Sequence, residues 1–92
     1  MNKKEVYQRM IDVYGEDYVI DKCIEEMSEL TKELMKYRHK QIIDNHVCEE
    51  IAHVEFTVEN VKLIFDENRI KEEKLLRMVK TKNKLIKKME EK

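Results

Sequence analysis

Residues 17–37, DYVIDKCIEEMSELTKELMKY, decide the fold. Ile20, Cys23, Ile24, Met27, Leu30, Thr31 and Leu34 recur at steps of three and four, the period of one face of an α-helix. On the N-terminal side, Val6, Met10 and Val13 repeat the pattern over about Asn2 to Tyr14. Gly15, the single glycine, is placed to end that helix in a left-handed C-cap. On the other side, the polar stretch Arg38 to Asn45 reads as a connection, with Asp44 or Asn45 able to cap a third helix over about 46–65. DEN at 66–68 turns the chain into a fourth helix, about Arg69 to Glu90, with Leu75, Leu76, Val79, Ile86 and Met89 inward. No Gly or Pro enforces that last turn, so one continuous rod through 66–68 is the alternative.

Composition supports this reading. The 92 residues are 41% hydrophobic and 42% charged, with a formal net charge of −1, one Gly and no Pro. An all-β chain needs Gly and Pro at its turns. Evenly spread apolar residues and a balanced charge favour a folded chain over a self-repelling tail. The expectation is a single all-α domain over residues 1–92, an antiparallel four-helix bundle. No stretch approaches the ~20 apolar residues of a membrane span, and MNKKEVYQRM has no apolar run behind its lysines, so no membrane partner and no signal peptide are expected. Cys23 and Cys48 lack a metal-ligand spacing and read as reduced core or near-core residues of a cytoplasmic protein.

Charge is unevenly placed. Residues 1–68 hold 9 Lys/Arg against 16 Asp/Glu, and residues 69–92 hold 10 against 4. An acidic body thus carries a basic C-terminal helix. That helix reads as a solvated face, as one docking on the acidic face of its own or a neighbouring subunit, or as a phosphate-binding element. Without aromatics in 69–92, nucleic acid is not an expected partner. The third helix is apolar on two sides: Val47, Ile51, Val54, Val58, Val61 and Phe65 on one, Ala52, Phe56 and Leu63 on the other. Two apolar faces require two covers, which predicts a homodimer or homotetramer with this helix at an interface.

The acidic residues are placed at the borders of these stripes. At about 100° per residue, Glu26 lies about 40° from Leu30 and about 60° from Glu29. Glu50 stands in the same relation to Val54 and His53, with Asn60 further along that edge. If the two helices pack antiparallel, Glu26, Glu29, Glu50 and His53 converge. Carboxylates gathered at a core edge repel one another unless a cation sits between them, and Mg²⁺ suits hard oxygen ligands. The plain alternative is a solvated face with ion pairs to Lys22 or Lys36. A di-iron bundle would need two Glu-x-x-His motifs, and Glu50-x-x-His53 supplies one. No Gly-rich phosphate loop is present, so any phosphate binding must come from side chains and a metal. Cys23 and Ser28 lack a His/Asp constellation for covalent catalysis.

CIEEMSELTKEL at 23–34 followed by EEIAHVEFTVENV at 49–61 resembles the MazG-like nucleoside triphosphate pyrophosphohydrolases, an all-α superfamily with E-E-x-x-E and then E-x-x-D. The resemblance covers roughly residues 10–90, including Tyr14-Gly15 before the motif helix and the Lys-rich last helix. It implies Mg²⁺-dependent hydrolysis of a (deoxy)nucleoside triphosphate to the monophosphate and pyrophosphate. Glu26 and Glu29 match the E-x-x-E ligands and catalytic positions, Glu50 opens the second motif, and Glu25 matches the leading glutamate. Asn60 corresponds to an asparagine on the same helix face in many members. Lys82, Lys84 and Lys88 fall where relatives carry basic residues that reach the triphosphate. His53 replaces the aspartate, and imidazole prefers Mn²⁺, Zn²⁺ or Ni²⁺ to Mg²⁺. The resemblance therefore leaves open a weaker Mg²⁺ site, a softer metal such as Mn²⁺, or a catalytically silent helical protein acting through interaction or regulation.

Overall fold

The computed structural model describes residues 1–41 and 44–91, apart from the Asn45 side chain, and all four regular elements among them are helices: α1 (Lys3–Tyr14), α2 (Glu16–Arg38), α3 (Asp44–Lys62) and α4 (Glu67–Glu90). The Asn45 cap lies outside the described residues.

Local chemistry sets each end. Asn2 caps α1, its Oδ1 accepting the Glu5 N–H at 2.8 Å. Gly15 joins α1 directly to α2, and its N–H donates to the Ile11 carbonyl. Its φ of +91° is positive as expected, but its ψ of 160° is not the left-handed helical value. The residue is extended in the mirror-image sense that only glycine adopts readily, because it must end one helix and open the next.

At the far end of α2, the Gln41 N–H bonds the Lys36 carbonyl and the Lys40 N–H bonds the Tyr37 carbonyl, both at 2.9 Å. This is a Schellman closure with Lys40, at φ +57°, in the position glycine usually fills. The break before α4 is real. Three successive i→i−3 bonds, donated by Leu63, Ile64 and Phe65, tighten the end of α3. Asp66 is then extended, and its carboxylate accepts the Arg69 N–H at 3.2 Å.

α2 and α3 form an antiparallel hairpin: Glu26 faces Glu50 and His53, while Val19 shares a cleft with Thr57 and Asn60. α1 closes one side of it. Tyr7, the buried residue of α1, stacks edge-on against Phe56 at 5.1 Å between centroids. Its hydroxyl donates to Glu59 at 2.7 Å, and buried Asn60 donates to its carbonyl at 2.9 Å. The inward face of α1 is thus rotated from the expected one, and Val13 is 73% exposed. Phe56, on the second apolar side of α3, meets α1 of its own chain and stays 45% exposed. Cys23 is buried, whereas Cys48 is exposed rather than near-core, and both thiols are free.

The four-helix bundle is not closed within one chain. α4 has no buried residue. Leu75, Leu76, Val79, Ile86 and Met89, expected inward, are 45–67% exposed. The radius of gyration is 17.0 Å, against about 12 Å for a compact domain of this length. No helix among the described residues is long and apolar enough to cross a membrane.

Candidate metal centre

Glu26, Glu50 and His53 come together on the α2–α3 seam, each offering one donor atom, with those atoms within 4.8 Å of one another. Nδ1 of His53 lies 3.5 Å from Glu26 Oε2 and 3.6 Å from Glu50 Oε1. These separations are too long for good hydrogen bonds. The register follows from the stripes: packing the apolar faces of α2 and α3 places the border residues Glu26 and Glu50 opposite each other.

Glu50 carries the electrostatic load of the cluster. Glu50 Oε2 is buried without a hydrogen-bond partner. Burial raises the Glu50 carboxyl above the usual carboxylate range. A hydrogen bond with the facing Glu26, and then that residue's charge, raise it further; His53 acts in the opposite direction and Glu29 adds a smaller rise. A group held this way lacks a positive partner on its inner oxygen. Two carboxylates and one imidazole form a donor set that a divalent cation fits. The mixed N/O chemistry suits Mn²⁺ and its transition-metal neighbours better than Mg²⁺.

Glu29 lies beside the centre rather than in it. It acts on Glu50 through its charge, is about half exposed, and sits 3.7 Å from Lys32. Glu25 points to solvent and pairs with Lys22 at 3.6 Å. The solvated face with lysine partners holds for Glu29, which meets Lys32, while Lys22 pairs with Glu25 and Lys36 with Glu33 rather than with Glu26.

A cleft of about 290 Å³ runs from Glu26 and His53 toward α1, with Tyr18, Lys22, Met10 and Asn60 in its walls. Asn60 therefore reaches the cleft, but its amide nitrogen is committed to Tyr7. Lys82 and Lys84 are exposed on α4, and no α4 residue lines this cleft.

Two residues that sequence reasoning puts on this edge, Glu33 between Glu26 and Glu29 and Lys22 as an ion-pair partner, are not among the site residues it names. Lys22 places a cation in the cleft wall. Glu33, seven residues beyond Glu26 on the same face, has only 14% of its side chain exposed and a buried, unpartnered Oε2. The seven-residue spacing was the available signal.

No family model, curated protein or solved structure matches this chain.

Proposed function

We propose that this chain is a metal-dependent hydrolase that cleaves a (deoxy)nucleoside triphosphate to the monophosphate and pyrophosphate. The convergence of Glu26, Glu50 and His53 at the end of a cleft carries the reading, because one of the gathered carboxylate oxygens is buried without a partner. The MazG-like motif residues listed above supply the reaction class.

Glu26, Glu50 and His53 would hold the cation, Mg²⁺ or, given the imidazole, Mn²⁺. When bound it would offset charge on phosphate oxygens and lower the pKa of a water. Glu29, about half exposed, would accept a proton from an attacking water. Lys22 offers a cation to phosphate oxygens along the cleft, and Tyr18 offers a ring wall. The free thiols suit a reducing, cytoplasmic setting. Assembly as a homodimer or homotetramer belongs to the same reading.

A second reading, a catalytically silent helical interaction protein, is favoured by one observation: α4 is exposed from residue 71 to its end, including its apolar residues.

A pyrophosphate-release screen over the common NTPs and dNTPs, with Mg²⁺ and Mn²⁺ in parallel, tests the proposal. Release that disappears in Glu26→Gln and Glu50→Gln supports it. No release from any nucleotide, together with unchanged calorimetric heats of metal binding in those variants, overturns it in favour of the interaction protein.

A further inference from the structure

We infer that the exposed apolar face of α4 is a docking surface for a second copy of this chain, seated on the side of the partner's α2–α3 hairpin that α1 leaves open. The inference deepens the homo-oligomeric assembly of the proposed function by naming its contact faces, and it does not rest on hydrolysis.

The surface itself is the first argument. The chain exposes 7956 Å², whereas a folded monomer of 11.3 kDa exposes about 5,700 Å² by the usual scaling with mass. The surplus of about 2,200 Å² per chain exceeds the ~800 Å² per partner of an ordinary complex and matches the large interfaces of obligate homodimers.

The surplus is apolar and lies in two places. On α4, Leu75, Met78, Val79, Leu85, Ile86 and Met89 fall within an arc of about 120° and are 45–67% exposed. On the body, α1 covers the hairpin side that carries Tyr18, Lys22 and Asn60. The side away from it leaves Ile24, Met27 and Leu34 of α2 and Ile51 of α3 at 40–53% exposure. Each face is as wide as a helix needs for bundle packing.

Charge selects the occupant. Residues 69–92 carry 10 Lys/Arg against 4 Asp/Glu, and the body carries 9 against 16. Two copies exchanging α4 bring opposite charges together at both contacts, with the two-fold reciprocity of a closed dimer. Lys71 and Lys82 stand inside the apolar arc of α4, and Asp21 and Glu55 border the open face of the hairpin. An acyl layer offers those lysines no partner, so a second copy fits better than a membrane surface.

The test uses the full chain. Analytical ultracentrifugation at micromolar concentration is expected to give twice the chain mass. Leu75→Glu with Leu85→Glu, and separately Ile24→Glu with Ile51→Glu, are each expected to give monomers with helical circular dichroism retained. For the unmutated chain, ¹⁴N and ¹⁵N preparations are mixed and cross-linked with a carbodiimide. Mixed-isotope links between α4 lysines and Asp21 or Glu55 are expected. A monomer at these concentrations, a dimer linked only α4 to α4, or a monomer that binds phosphatidylserine vesicles through α4 would each overturn the inference.

Discussion

Nδ1 of His53 lies 3.5 Å from a carboxylate oxygen of Glu26 on the neighbouring helix, so His53 reaches the two carboxylates across the seam although 56% of its side chain is exposed. Its replacement by a carboxylate therefore changes the donor set itself. In calorimetry, His53→Asp is expected to strengthen Mg²⁺ binding and weaken Mn²⁺ or Ni²⁺ binding, each on the order of tenfold. Unchanged affinity for both ions would remove His53 from the centre.

Glu50 has a raised pKa, so the folded chain binds its proton more tightly than the unfolded chain does. Without metal, its contribution to stability is present at low pH and is lost as pH rises through the window from the ordinary carboxylate value to the raised one. Glu50→Gln removes this loss. Thermal melts in EDTA at neutral pH are expected to show a higher Tm for Glu50→Gln than for the parent chain. Saturating Mn²⁺ should raise the parent's Tm, by about 2.7 kcal/mol of stability at a hundredfold excess over Kd, and leave the variant's unchanged.

Glu59 behaves oppositely. The Tyr7 hydroxyl and the Lys3 ammonium, at 2.7 Å and 2.9 Å, hold its carboxyl below the usual range. Its stabilising contribution is complete above the ordinary carboxylate pKa and is lost as pH falls through the depressed value. The Tyr7 phenol is pushed up to about 12 by burial and by Glu59, so it stays protonated throughout. Tyr7→Phe is expected to lower Tm at neutral pH and to flatten the acid limb of the stability curve. A parallel downward shift at all pH values would show that only packing was lost.

Asn60 is 2% exposed and ties α3 to the α1 backbone. Asn60→Ala is expected to cost about 1–3 kcal/mol in urea unfolding, through the lost hydrogen bond and the space left behind. Metal affinity should remain within a factor of about two, since its amide nitrogen is held by Tyr7. A large loss of affinity without loss of stability would make Asn60 a binding residue instead.

The two positive-φ positions among the described residues give opposite signs. Nothing lies within 4 Å of a Cβ built on Gly15, so Gly15→Ala meets only backbone strain, about 1–2 kcal/mol of destabilisation. Lys40→Gly relieves left-handed strain and is expected to stabilise by up to about 1 kcal/mol, net of the greater freedom glycine gives the unfolded chain. Urea midpoints of the two variants check both.

The centre was legible because helical spacing fixes which residues share an edge, and the apolar stripes of α2 and α3 then fix the register that brings Glu26, Glu50 and His53 together. The same logic failed for α1. Tyr7 carries a polar tip, so a count of aliphatic residues chose Val13 as inward although it ends up in water. It failed also for α4, where periodicity locates the apolar arc at Leu75 and Ile86 but is silent on whether that arc is covered by its own chain. Lys22 was read only as a neighbour of Glu26. Its place in the cleft depends on the approach of α1, which no local pattern encodes.

All three donors of the centre stand on one helical hairpin closed by a short connection. Contacts this local form early, on the microsecond-to-millisecond timescale of low-contact-order chains. A growing polypeptide can thus bring Glu26, Glu50 and His53 together before its last helix has been synthesised. Two carboxylates meeting on that early hairpin would push it apart, so any cation able to sit between them would act on the birth of the fold and not only on the finished protein.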